Sequence, residues 1–181
     1  MGARVTILDC NLNRLTYLDD IFGAQIQTLF SNPQNIAKAL KDADLVIGAV
    51  LIPGDRAPKL IKEEYVKEMK KGAVIVDIAI DQGGACETSH VTTHDDPIFI
   101  KHGVVHYCVG NMPGAVPYTS TIALTNVTLK YGLLIADNGV EKASMLDMGF
   151  KNGINTYKNK CVNKNVAHAL NLELSNVDEL F

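Results

Sequence analysis

The chain has 181 residues, 47% of them hydrophobic and 20% charged, with a formal net charge of −3. That length suits one compact domain with an appendage, since domains commonly run to about 100–150 residues. The weak negative charge gives no electrostatic footing for nucleic acid or an anionic membrane, and neither an apolar run of about 20 residues nor a signal-peptide pattern is seen.

Arg4-Val-Thr-Ile-Leu8 is β-branched and apolar, which predicts a buried strand ending at Asp9. Leu12, Leu15, Leu18 and Phe22 then recur at helical spacing, with Gly23 as a stop signal. Gln25-Ile-Gln-Thr-Leu-Phe30 alternates and reads as a short strand. Asn32-Pro33 starts a helix whose apolar positions are Ile36, Ala37, Leu40 and Ala43. Asp44 to Ile52 is the strongest strand signal and is broken by Pro53-Gly54. A polar helix is predicted from Lys59 to Lys70, stopping at Gly72. Further strands are predicted over Ala73–Ala79 and Val104–Val109. Tyr118 to Asp137 is too long for an ordinary strand and reads as a helix, with Gly139 just past its end. From Val140 to Asn171, short helices around the Asn152-Gly153 turn cannot bury themselves alone, so they are expected to pack on a second domain or a neighbouring subunit.

Strand and helix alternate at short connection lengths, which predicts an α/β fold with a doubly wound parallel sheet. Five strands are counted where a complete dinucleotide-binding sheet of this type has six. The chain opens at what corresponds to the second strand, with no phosphate-binding glycine loop before it. Residues 1–117 are expected to form this partial nucleotide-binding domain, and 118–181 a connecting helix with a C-terminal segment of another domain. Cys10, Cys86, Cys108 and Cys161 are scattered, without metal-knuckle spacing. Reduced, mostly buried thiols and a cytoplasmic location are the expectation.

In open α/β sheets a ligand lies beyond the carboxyl ends of the strands. Asp9 stands at such an end, where an acidic residue accepts hydrogen bonds from ribose hydroxyls. The competing reading makes Asp9 or Asn11 a helix N-cap. Arg14 is one turn further along, suited to adenine or phosphate, or simply a solvated helix-face arginine. Asp81 is the sharpest candidate: it follows a strand and precedes Gly83-Gly84, so its carboxylate is expected to project into the crevice, the place for a general acid or base near the hydride-transfer carbon. The bland alternative is an Asp in a turn. Asp77 lies inside the strand and is expected to pair with backbone or a lysine. Val50-Leu-Ile-Pro-Gly54 is a backbone-rich loop suited to a flat ring. The five histidines show no metal spacing, and no metal is expected.

The runs Asp44 to Gly54, Arg56-Ala-Pro-Lys-Leu60, Gly72 to Gly84 and Asn111-Met-Pro-Gly-Ala-Val-Pro-Tyr-Thr-Ser-Thr-Ile-Ala-Leu-Thr-Asn126 together resemble alanine dehydrogenase. The related nicotinamide nucleotide transhydrogenase α subunit shares the Gln-Gly-Gly but differs in the residues before it, where this chain has Ile80-Asp81. The resemblance covers nearly the whole chain and loosens after about Asp137.

That resemblance implies a Rossmann-type doubly wound parallel sheet lacking its first strand, plus a helical C-terminal segment of the substrate domain. It implies NAD as cofactor and the reversible oxidative deamination of L-alanine to pyruvate and ammonia. Asp9 matches the family's ribose-binding acid, with Arg14 and Ser31 at the adenosine end. Val50 and Leu51 match the loop along the cofactor, and Ile78, Asn111 and Met112 the nicotinamide neighbourhood. Asp81 matches the catalytic aspartate. The family's acid–base histidine, and the lysine and arginine that hold the pyruvate carboxylate, belong to an N-terminal substrate domain with no counterpart here. Members assemble as hexamers. This chain alone is therefore expected to be an inactive C-terminal portion. A nucleotide-binding subunit of a split transhydrogenase-type protein and a non-catalytic interaction remnant are the alternatives.

Overall fold

In the computed structural model, which describes residues 2–181, Val5–Asp9 (β1) and Ile26–Phe30 (β2) pair in parallel from Val5↔Ile26 to Asp9↔Phe30. Val5, Thr6 and Ile7 supply the β-branched side chains that fit a pleated surface. Between the strands, Leu12–Phe22 (α1) starts at Asn11, whose side chain accepts the Arg14 N–H, and stops at Gly23 with φ 49°. Pro33–Asp42 (α2) follows, capped by the Asn32 side chain and opening with Pro33. A proline costs nothing there, because the N–H it lacks has no intrahelical partner at that position.

Leu45–Gly48 (β3), Val74–Asp77 (β4) and Val104–Tyr107 (β6) form a parallel set with β4 in the middle. Ile98–Lys101 (β5) adds to the outer side of β6 in antiparallel register, so the four-stranded order is β3-β4-β6-β5. The pair β1-β2 is a separate sheet. In the strand order 3-2-1-4-5-6 of a complete dinucleotide fold, one strand stands between those corresponding to β1 and β3. Among the described residues no strand joins the two sheets. Leu45 and Ile47 on β3 are 57% and 58% exposed, whereas parallel strands are ordinarily covered on both faces.

Several features depart from the sequence reading, among them a strand pair at Thr156–Tyr157 and Lys160–Cys161 where short helices were expected. The strand expected over Asp44–Ile52 ends at Gly48. The helix expected over Lys59–Lys70 is confined to Glu63–Glu68 (α3). Residues before it are extended because their backbone is used elsewhere: Ala57 N–H donates to Gln82 O, Ile61 N–H to Ala85 O, and Glu87 N–H to Ile61 O. Strand β5 was not anticipated. It forms a hairpin with β6 through His102 (φ 55°) and Gly103 (φ 80°), a two-residue turn of the kind that left-handed backbone permits.

Leu40, Ile61, Val66, Met69, Ala73, Ile75, Cys86 and Val104 form the main core cluster. Each fully buried aliphatic side chain of this size contributes about 1.5–3 kcal/mol relative to exposure. Cys86, Cys108 and Cys161 are buried and Cys10 is exposed, all as free thiols.

The chain divides into two compact units, Met1–Val50 with Ala57–Gly110, and Leu51–Arg56 with Asn111–Phe181. The second unit is built on Pro117–Leu146 (α4), interrupted at Gly139, whose φ of 70° and ψ of 171° are not helical. The sequence's stop signal at Gly139 thus marks a real break, after which a further helical stretch runs on to Leu146. Met148–Asn152 (α5), the Thr156–Tyr157 (β7) and Lys160–Cys161 (β8) hairpin, and Lys164–Leu170 (α6) follow. Within this unit α6 holds the 51–56 loop: Asn165 Nδ2 donates to Pro53 O at 2.7 Å, and His168 Nδ1 lies 3.2 Å from Asp55. Among the described residues no helix is long and apolar enough to cross a membrane.

Candidate active site

Strand β4 ends at Asp77, which is fully buried. Its two carboxylate oxygens accept the N–H groups of Ala85 (3.0 Å) and Cys86 (3.1 Å). The expectation that Asp77 pairs with backbone is met. A buried carboxylate left without such donors would be costly, so these two bonds decide the course of the loop. Between Asp77 and Ala85 the chain makes a short 3-10 turn over Ile78–Gln82 and then two left-handed glycines, Gly83 (φ 94°) and Gly84 (φ 81°). A Cβ on Gly84 would stand 2.8 Å from Asp77 Oδ2. The second glycine is therefore required twice over, by backbone and by space.

This turn lifts Asp81 to the surface at the carboxyl end of β4, while Ala79 and Ile80 beside it are buried. Ile78, at the start of the same turn, is 50% exposed and presents an apolar face there. The Gln82 side-chain oxygen is buried with no hydrogen-bond partner among the described residues. Val50 is partly buried against Ala57, Ala79 and Ala85, so the loop leaving β3 packs on the same turn.

At the end of β1, Asp9 is half-buried, and its Oδ1 accepts the Asn11 N–H at 2.8 Å. Helix α1 is capped by Asn11 (Arg14 N–H to Oδ1, 3.1 Å), so of the two capping readings Asn11 is the one realised. The neighbouring Ser31 donates its N–H to Asp9 O at 2.9 Å, which places Asp9 and Ser31 side by side at the ends of adjacent strands. Arg14 is exposed, its guanidinium 5.0 Å from the centroid of the Tyr17 ring on its own helix.

The remaining sequence-predicted residues fall in the second unit. Leu51 is 66% exposed. Asn111 adopts left-handed backbone (φ 53°, ψ 55°) and caps the Met112–Ala115 turn. Its carbonyl accepts the Gly114 N–H at 2.9 Å, and Met112 is half-buried. A shallow concavity of this unit, around Thr156–Cys161, contains none of these residues.

One group escaped the sequence reading. His106 Nδ1 lies 3.0 Å from Val104 O, so that nitrogen carries the proton and Nε2 is an acceptor. Thr88 Oγ1 donates to Nε2 at 2.7 Å, and the Cys86 thiol donates in turn to Thr88 Oγ1 at 3.0 Å. The His106 ring stacks on Phe99, which stacks on His90 at a centroid distance of 3.8 Å. Burial pushes the His106 pKa below that of an ordinary imidazole, against the opposite pull of the Val104 carbonyl. Burial also raises the Cys108 thiol. A lone histidine on an apolar strand carries no sequence signal for such a chain of bonds, because its partners lie on a loop 18 residues away.

Parallel strands with acidic residues at or just beyond their carboxyl ends, and a glycine-locked turn beside one of them, are features of the α/β folds that place a ligand beyond their strand ends. Residues 1–164 match the family described as alanine dehydrogenase/PNT, C-terminal domain, and the chain belongs to that family. Alanine dehydrogenase 2 of Staphylococcus aureus (strain USA300) is 56% identical over 180 residues, covering 99% of this chain and 48% of the relative. A solved L-alanine dehydrogenase superposes with a TM-score of 0.79 at 46% identity, over 94% of this chain and 47% of that one. A transhydrogenase from Sinorhizobium meliloti shares the fold, with a TM-score of 0.63 at 23% identity over 74% of this chain and 38% of that one. The chain spans about half the length of the curated relatives it matches.

Proposed function

We propose that this chain is the NAD-binding half of an L-alanine dehydrogenase, in which L-alanine, NAD⁺ and water give pyruvate, ammonium, NADH and a proton. The observation that carries the reading is Asp81, an exposed carboxylate on a turn that a buried aspartate and two left-handed glycines fix at the end of β4. The high identity to an alanine dehydrogenase supports the choice of substrate.

The residues at the strand ends fit a dinucleotide. Asp9 is released from helix capping by Asn11, so Oδ2 is available to ribose hydroxyls, and its negative charge disfavours a ribose phosphate. Ser31 and Arg14 extend this adenosine end. Ile78, Val50, Leu51, Asn111 and Met112 are assigned to the cofactor's other end, where Ile78 supplies an apolar face. NAD, when bound, supplies the hydride acceptor for the alanine Cα. Asp81 orients the water that attacks the resulting carbon, takes its proton at a carboxylate oxygen, and returns a proton in the reverse direction. The complementary substrate residues would come from the other half of the enzyme. We assign the working form to a homo-oligomer, a hexamer as in the complete family enzyme, in the cytoplasm. The exposed apolar residues of β3 and α4, including Leu124, Val127 and Leu129, support a partner surface of this kind.

The test is product analysis in a dehydrogenase whose second half is this sequence. Pyruvate and NADH appearing together only when L-alanine is present support the reading. Hydride exchange between two nicotinamide nucleotides without alanine would favour a transhydrogenase-type subunit instead, as the shared fold allows.

A further inference from the structure

The Gly83–Cys86 loop is gripped from two sides by opposite charges. Beneath it, the Asp77 carboxylate accepts the N–H groups of Ala85 and Cys86. On its other side the Lys59 ammonium donates to the carbonyls of Gly83 and of Cys86, the latter at 3.1 Å. Two of the loop's N–H groups thus face the Asp77 carboxylate, and two of its carbonyls face the Lys59 ammonium. Each charge meets the end of the peptide dipoles that stabilises it. The segment carrying Lys59 is held beside this loop by three backbone bonds: Ala57 N–H donates to Gln82 O, Ile61 N–H to Ala85 O, and Glu87 N–H to Ile61 O. Lys59 is exposed, and the core does not need its ammonium.

We infer that Asp77 and Lys59 are positioning residues for Asp81: together they fix the turn that carries its carboxylate. Neither touches the reacting atoms. Asp81 lies only two residues before Gly83, on a turn whose own N–H groups at Gly83 and Gly84 bond back to Ile80 O and Ala79 O. Loosening either side of the clamp lets that turn tilt, and a carboxylate displaced by about 1 Å from a reacting carbon loses on the order of 10²-fold in rate. The dinucleotide's adenosine end, held at Asp9 and Ser31 on the other sheet, is untouched. The signature is a fall in kcat with little change in the KM for NAD. The inference rests on the catalytic reading of Asp81.

The experiment compares Asp77→Asn, Lys59→Met, Lys59→Arg and Asp81→Asn in a dehydrogenase whose second half is this sequence. Amide hydrogen exchange at Ala85 and Cys86 is followed in parallel. Asp77→Asn is expected to lower kcat by roughly 100-fold and Lys59→Met by roughly 10-fold, each with the KM for NAD within about twofold of the parent. Both should speed exchange at Ala85 and Cys86, and Lys59→Arg should restore most of the rate. An unchanged kcat in Lys59→Met would overturn the inference even if Asp77→Asn fails to fold, and so would equal losses in Lys59→Met and Lys59→Arg. Full activity in Asp81→Asn would instead sink the catalytic reading, while the exchange data would still report whether the clamp holds the loop.

Discussion

Ser31 donates its backbone N–H to the carbonyl of Asp9 at 2.9 Å, joining the carboxyl ends of β1 and β2 just beyond their last paired residues. The Asp9 side chain is thereby fixed beside a second strand end, with Oδ1 already engaged by Asn11 N–H. On the proposed reading, a ribose with two free hydroxyls gains charge-assisted hydrogen bonds from Asp9, and a phosphorylated one meets a like charge.

Asp9→Ser should therefore weaken NADH binding by roughly 10–100-fold, the equivalent of one hydrogen bond to a charged group, and narrow the gap between NADH and NADPH. Fluorescence titration of both nucleotides into the dehydrogenase containing this chain reads the ratio. An unaltered ratio would remove Asp9 from the ribose site.

Gly84→Ala should destabilise the fold beyond the roughly 1–3 kcal/mol of a non-glycine residue held at left-handed backbone. The added methyl also meets Asp77 Oδ2 at 2.8 Å, and that oxygen cannot retreat without releasing Cys86 N–H. Gly83→Ala has the same backbone cost but open space around the methyl. Denaturant unfolding of the two variants should rank Gly84→Ala clearly the less stable, and equal midpoints would contradict the close packing described for the turn.

The fold and the site were not equally legible in the sequence. Helix α1 and both sides of the β1–β2 pair were readable because Leu12, Leu15 and Leu18, and the β-branched run before Asp9, follow one period each. Strand β5 was hidden because Ile98-Phe-Ile-Lys101 is four residues long and lies beside Pro97 and a run of polar residues. Residues 59–62 looked helical from composition, yet the Ile61 N–H and carbonyl are taken by Ala85 and Glu87 after Asp81, a tertiary demand with no local signal. The place of Asp81 on a turn at the end of β4 was legible because a carboxylate shortly before two glycines marks a turn. The grip of Lys59 on that loop, and the Cys86-Thr88-His106 chain, join residues 18 or more positions apart and escape any local pattern.

Thr88 links the Cys86 thiol to His106 Nε2 in a fully buried setting. Thr88→Val keeps the shape but orphans an imidazole acceptor and a thiol donor. A loss of about 1–3 kcal/mol is expected from the unsatisfied acceptor. Thermal unfolding measures it, and a variant as stable as the parent would mean that water reaches Nε2.

The same histidine sets a pH dependence. Burial lowers its folded-state pKa below the unfolded value of 6.5, so the unfolded chain binds the extra proton first as pH falls. Stability from this group is fully present above the unfolded pKa and is lost as pH falls from there through the folded pKa, at no more than about 1.4 kcal/mol per pH unit. Unfolding free energies measured from neutral to mildly acidic pH should show this slope, and His106→Gln should flatten it. A parallel slope in the variant would assign the effect to other groups.

The account depends most on Asp81, whose carboxylate stands at the end of β4 on the turn that Asp77 anchors. The decisive measurement is steady-state oxidation of L-alanine by the Asp81→Asn variant of a dehydrogenase whose second half is this chain, with NADH affinity determined on the same preparation. Catalysis should fall by about 10²–10⁴-fold, the usual contribution of a positioned acid or base, while NADH still binds. An Asp81→Asn enzyme that oxidises alanine at the parent rate would contradict the account at its centre.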